Sequence, residues 1–424
     1  MRSGIGVFIR RAVPALAALA LCFRFLPSAE AAAPKEITIG DLYASTGVYA
    51  SVSTALHDGL LLWVDETNAQ GGAYVGAYHK KIPLRVISYD DQSNTATVAA
   101  LTDQLITQNH VNVLVADFGS VLTSLSVPIA REHKMLLINP SGTGTSLFST
   151  DNRYEVLVAQ PVSRVAVRYL AEFLSEQASA STIKRLAILY DTNDFSGAEA
   201  AAVRKSLAAI HAPLTIVYDR GVPTSTSDYS LLLTGLKAAH PDFVLELGYP
   251  ANDIAFVRGM QDTGIGFRGV FANFPGWEPD VLAKAVGPSA LKGVFTNVPG
   301  VFLSYKPTAG MTAAEFHAAW DKAHPGGAVP YGLNAAAGYV AGVAIGEMLV
   351  HAPDLSEGGL RAGLYAVSGK LVTLQGPFRL APDGEQLGEI NAVGQVWPSG
   401  KGEVRLVAVY PPAVAAGKPV FNDR

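Results

Sequence analysis

Two short stretches hold the residues best placed to do chemistry. Gly119-Ser120 opens a run with helical apolar spacing, and Pro140-Ser141-Gly142-Thr143-Gly144-Thr145 follows the next apolar run at once. Hydroxyls and free backbone N–H groups at such turns suit the capture of a small anion, such as a carboxylate. Ser and Thr are also favoured helix caps, so the turns alone are equally consistent with a structural role. No G-x-S-x-G elbow and no H-E-x-x-H pair occurs, and the nine histidines are scattered. No catalytic residue, metal site or cofactor is therefore expected. The stretch 264–269 spells G-x-G-x-x-G, but a predicted helix precedes it and a strand follows, the reverse of a dinucleotide site. Asp90-Asp91, Tyr190-Asp191 and Asp194 read as turn residues, since adjacent side chains at a strand end point opposite ways.

The apolar patterning supplies the elements that must position these turns. Residues 111–115 are a short β-branched run without charge, fit for the middle of a parallel sheet. Val121, Leu122, Leu125, Pro128 and Ile129 then share one helical face, and 135–138 is the next strand. The two hydroxyl turns thus sit at the carboxyl ends of neighbouring strands, the edge where open α/β sheets bind ligands. Strand 36–42, helix 53–69, strand 82–89 and helix 94–108 precede them, giving β-α-β-α-β-α-β. After a strand at 154–159 the rhythm restarts. Helices at 163–176, 198–210, 229–239 and 252–262 alternate with strands at 185–190, 214–218, 243–247 and 269–272, and 191–197 is read as a turn. From 294 the pattern changes to a connecting strand, helices at 313–322, 335–350 and 360–366, and a run of strands at 376–380, 389–396 and 404–410. The expectation is an α/β protein of two doubly wound parallel-sheet lobes joined by a multi-strand hinge. Lobe 1 is 36–160 plus 297–366, and lobe 2 is 161–296 plus 367–424.

The chain of 424 residues is too long for one ordinary core. At 49% hydrophobic and 16% charged it is globular rather than disordered. A net charge of −4 without a basic block argues against nucleic-acid binding. Arg2, Arg10 and Arg11, the apolar run 12–22 and Ser28-Ala29-Glu30-Ala31 spell an export signal, with cleavage expected after Ala31. The only cysteine, Cys22, lies inside that signal; Leu21 stands where lipidation wants a small residue, so none is expected. Without cysteine the processed chain has no disulfide or thiolate chemistry. No later segment reaches about 18 uninterrupted apolar residues, so no membrane span is expected.

Several stretches now fit one family in order: LYASTG after the first strand, DETNAQGG at the first helix end, and VISYDDQSN at the next strand. VPIAREHKMLLINPSGTGTSLF, ILYDTNDFSGAEAA and DYSLLLTGLKAAHPDFV complete the set. The chain resembles the periplasmic substrate-binding proteins of ABC importers, in particular the Leu/Ile/Val-binding branch with the type I periplasmic binding fold. The resemblance covers about 37–410. It implies a small-molecule ligand gripped between two closing lobes in the periplasm. Delivery would be to an ABC importer's permease and ATPase, and the permease would be the only membrane contact of a monomer. It also implies that Ser120, Ser141 and Thr143, with backbone help from Gly142, hold a ligand carboxylate. Phe195 and Tyr249 match the family's second-lobe aromatics, Phe195 replacing a Tyr.

Two departures stand out. Amino-acid-binding members carry an acid in the turn that here reads Asn273-Phe274-Pro275-Gly276-Trp277, and the nearest carboxylate is Glu278. The family's late Tyr-Asp pair is Tyr339-Val340. An ammonium buried without a partner is costly, whereas rings stack on flat or aliphatic ligands, and the expected cleft offers Tyr43, Tyr49, Phe118, Phe195, Tyr249, Phe274 and Trp277. The expected ligand is a small carboxylate with an apolar or aromatic body. The alternatives are a branched-chain amino acid in the same site, or a sensory module of the same fold.

Overall fold

In the computed structural model, residues 1, 4, 32–400 and 402–422 are described. The export signal, with Arg2, Arg10, Arg11, the run 12–22, Cys22 and the cleavage point after Ala31, lies outside them. Lys35–Arg424 form one compact unit.

Two open sheets organise that unit. The first runs Leu84–Asp90, Ile37–Tyr43, Val113–Val115, Leu137–Asn139, Glu155–Leu157, all parallel. The second runs Glu403–Tyr410, Ala392–Gly400, Phe295–Val298, Gly269–Ala272, Phe243–Leu247, Arg185–Asp191, Thr215–Val222. Its last five strands are parallel, and the two C-terminal strands join antiparallel. Helices separate most of the consecutive parallel strands, as parallel pairing requires a crossover connection. In both sheets the central strands are buried apolar runs, because helices cover both faces. The doubly wound reading of both halves holds, and 243–247 and 269–272 are strands over those very residues.

The structure differs from expectation at several edges. Ala73–Val75 and Lys80–Ile82 form a small hairpin in a stretch given no element. The predicted helix 163–176 is two helices, Ser163–Ala166 and Arg168–Ser179. The helix expected from 198 begins at Asp194, because Asn193 accepts the Ser196 N–H at 2.9 Å and caps it early. The segment expected to return to lobe 2 from 367 first lies against the edge of the first sheet. There Gly384 O accepts from Leu157 N at 3.0 Å, and Gln386 O accepts from Val162 N at 3.0 Å.

Helix Leu333–His351 is long and apolar enough to span a membrane, yet it is almost wholly buried. It packs along helix Ala50–Ala69, and two glycines set the spacing. A Cβ on Gly338 would stand 1.8 Å from Leu56 O, and one on Gly59 would stand 2.1 Å from Ala335 O. Gly338→Ala should therefore destabilise the protein by about 1–3 kcal/mol in urea unfolding, despite alanine's higher helix propensity. Gly197→Ala, in helix Asp194–Ala209 with nothing within 4 Å of its Cβ, should instead stabilise by up to about 1 kcal/mol.

Candidate ligand-binding site

The two hydroxyl turns are latched to each other. Gly119 N donates to Ser141 Oγ at 2.9 Å, and Gly144 N donates to Ser120 Oγ at 2.9 Å. Each serine oxygen thus accepts one bond and keeps its own hydrogen for an acceptor. Both serines are buried. Gly119 stands at φ +76°, the left-handed region that favours glycine. Beneath the latch, Asn139 Oδ1 accepts from Ser141 N at 3.1 Å and Gly142 N at 2.6 Å, while its amide donates to Gly142 O and Glu155 Oε1, both at 2.8 Å. Burial raises the Glu155 carboxyl to about 8 against the pull of Asn139. The Gly142 amide expected to reach a ligand is therefore already engaged, since an unpaired buried N–H would be costly. Thr143 sits at the same turn with its carbonyl held by Ser163, from N at 3.2 Å and from Oγ at 2.7 Å.

Six of the seven predicted rings come together. Tyr49 meets Tyr249 at 5.4 Å and Phe118 at 6.1 Å, centroid to centroid, and Phe118 meets Tyr249 at 6.1 Å. Tyr249, Phe195, Trp277 and Phe274 close a circuit of contacts at 5.4, 5.7, 5.0 and 6.1 Å. Tyr49 and Phe118 follow strands of the first sheet, and the other four follow strands of the second. Tyr49, Phe118 and Tyr249 occupy helix N-cap positions, and none makes a side-chain capping bond. Tyr43 does not join them. Its ring stacks on His57 at 4.2 Å, and His57 Nδ1 pairs with the buried Asp41 at 2.5 Å. An imidazole neighbour on helix Ala50–Ala69 thus takes its face.

Two polar atoms in the ring cluster have no hydrogen-bond partner among the described residues, Tyr249 Oη and Trp277 Nε1. Tyr249 Oη lies over the latch, since a Cβ on Gly119 would be 3.3 Å from it.

Under the rings of the second sheet lies a group of buried carboxyls absent from the expected site. Asp191 is pushed up to about 8 by burial and by the neighbouring Glu246 charge. Burial takes Glu199 and Asp253 each to about 7, and raises Glu246 strongly with help from Asp253. Two of them anchor the following turn: Asp253 Oδ2 accepts from Phe274 N at 2.8 Å, and Glu199 Oε2 from Asn273 Nδ2 at 2.7 Å. Glu246, a lone charge inside an apolar strand, was the visible sign of them. The turn itself is a short helix, Phe274–Trp277. Glu278 accepts from Asn334 Nδ2 at 2.8 Å at the start of helix Leu333–His351, and burial raises it to about 8 against that bond. In the first sheet, Asp117 binds Ser53 and the Phe118 N–H, and burial and the adjacent Asp91 raise it. Asp90 receives Ser45 N and Gln92 N, the turn role expected of it.

These carboxyls fix a pH dependence. Their folded pKa values lie above those of the unfolded chain, so the folded form keeps protons that the unfolded form has released. Stability from this source is full below the unfolded carboxyl range and is lost as pH rises through about 7 to 8. The melting temperature should fall steadily between about pH 5 and about pH 8, and Glu278→Gln, which keeps an acceptor for Asn334, should flatten that fall.

A family model described as periplasmic binding protein matches residues 36–396. Leu/Ile/Val-binding protein homolog 7 of Brucella abortus (strain 2308) is 24% identical over 408 residues, covering 94% of this chain and 97% of the relative. The branched-chain amino acid transporter substrate-binding protein LivJ of Streptococcus pneumoniae, solved with isoleucine, superposes with a TM-score of 0.71 at 20% identity. It covers 88% of this chain and 100% of its own. An ABC transporter solute-binding protein of R. palustris, solved with benzoate, gives a TM-score of 0.70 at 18% identity, with 88% and 96% covered. With two doubly wound sheets and a latch of hydroxyl turns at the strand ends of the first, the chain belongs to the periplasmic binding protein family.

Proposed function

We propose that this protein is an exported solute-binding protein that captures a small carboxylate with an apolar or aromatic body and delivers it to an ABC importer. The observation that carries this reading is the pairing of a donor-rich latch with a ring cluster drawn from both sheets. The ligand carboxylate takes the hydroxyl hydrogens of Ser120 and Ser141, with Thr143 at the same turn. Tyr249 Oη, poised over Gly119, reaches the same carboxylate from the second lobe and so couples binding to closure. Contacts made only in the closed form shift the population toward it. The rings then enclose the ligand body, and the lobes hinge at the chain crossings near 160, 297 and 388. The isoleucine and benzoate held by the two structural relatives are acids of this kind. The protein acts as a monomer in the periplasm, and the importer's permease and ATPase are its partners.

An α-amino acid is the second reading. Burial raises the phenols of Tyr49 and Tyr249, and Asp191 favours this reading by lying close enough for its charge to add to both shifts. A thermal-shift panel of branched-chain and aromatic amino acids against their deaminated acids separates the two, since a ligand that binds only the folded state raises the melting temperature. Stabilisation by the deaminated acids is expected; stabilisation by α-amino acids alone would move the assignment to the second reading. For an acid that binds, Ser120→Ala with Ser141→Ala should weaken affinity by about 2–4 kcal/mol, for two charge-assisted hydrogen bonds lost. Unchanged affinity in calorimetry would remove the latch from the site.

A further inference from the structure

The far end of the site from the latch carries its own recognition element. We propose that Trp277 donates its indole Nε1–H to the ligand, and that the ligand is therefore an acid bearing an uncharged acceptor oxygen (ether, keto or hydroxyl) remote from its carboxylate. This rests on the carboxylate reading above and deepens it.

Trp277 is buried, and its Nε1 has no partner among the described residues. Buried indole N–H groups normally find one, and an orphaned buried donor is costly. No nearby carboxyl serves it: Glu278 bonds Asn334, Asp253 bonds Phe274 N and Glu199 bonds Asn273, and the second oxygens of Glu278 and Asp253 are themselves without a partner among the described residues. Nor can the indole easily move to find another acceptor. Phe274–Trp277 is pinned by the Asp253 bond at its start. A Cβ on Gly276 would be 1.7 Å from Asn297 O, and one on Gly332 would be 2.1 Å from Trp277 O. The donor is thus held in place before any ligand arrives, the condition under which a hydrogen bond gives specificity.

The ring circuit sets which end of the ligand it reads. Phe195 and Phe274 each contact both Tyr249 and Trp277, so those two residues stand at opposite corners. Tyr249 Oη marks the carboxylate corner beside Gly119, and the indole marks the other. An uncharged oxygen fits that corner because the surrounding groups are rings, which offer a second anion no compensating charge.

Isosteric ligand pairs test this by calorimetry on the purified protein: 4-methoxybenzoate against 4-ethylbenzoate, and 4-oxopentanoate against 4-methylpentanoate. Each pair exchanges one oxygen for one carbon. The oxygen-bearing member of at least one pair should bind about tenfold tighter, as sites built to donate a hydrogen bond discriminate against analogues lacking the acceptor. Trp277→Phe should bring that ratio close to one, whatever its effect on the affinity common to both members. In the unsubstituted protein, the Trp277 indole proton should shift downfield in NMR with the oxygen-bearing member only, a readout that does not depend on the variant folding. Equal affinities within both pairs, a ratio that survives Trp277→Phe, or an unmoved indole proton would overturn the Trp277 assignment alone. Failure of every acid to bind would overturn the carboxylate reading and this inference with it.

Discussion

The crossed pair of hydrogen bonds between Gly119–Ser120 and Ser141–Gly144 is the constraint on which the rest of the site depends. It ties the ends of two adjacent parallel strands together and satisfies two amide donors of the kind that helix starts and tight turns leave over. It also orients both serine hydroxyls, because an oxygen that accepts from a fixed N–H has a restricted direction left for its own hydrogen. Asn139 continues the arrangement downward by holding the turn amides and linking them to Glu155. What is left facing the rings is a small number of unspent donors on a rigid support, the usual composition of a ligand pocket.

The second sheet answers this polar seat with an apolar one, and it does so at an energetic cost. Asp191, Glu199, Glu246 and Asp253 are carboxyls in a dry interior, where the charged form is penalised. Two of them, Glu199 and Asp253, tie down the Asn273–Trp277 turn, which carries two of the six clustered rings. Rigidity at a recognition surface is thus obtained through groups that prefer to remain protonated.

Much of this was legible in the residue pattern, and the remainder was hidden for physical reasons. Strands 243–247 and 269–272 were visible as short runs that are apolar but for Glu246, because both faces of a parallel sheet are covered. Ser120 and Ser141 were visible because hydroxyls next to glycine at strand ends are chemically distinctive. Gly142 misled because the sequence does not reveal that Asn139 reaches forward to claim its amide. Tyr43 misled because ring stacking on His57 is a tertiary fact with no local signature. The Phe274–Trp277 turn looked irregular because a four-residue helix is too short to show periodicity. The carboxyl group beneath it draws on four separate elements that only the fold brings together.

The glycine-lined contact between helices Ala50–Ala69 and Leu333–His351 has a consequence for the order in which the chain can fold. The first helix to be made has its closest partner near the other end of the polypeptide, and the second sheet is likewise finished by the last two strands. Contacts so distant in sequence form slowly, because a large loop must close before they contribute. Until the C-terminal third has been synthesised, the N-terminal half lacks the surface against which its first helix would lock. A polypeptide of this topology stays loose while it is being made, which is the state in which a chain can be threaded through a narrow channel.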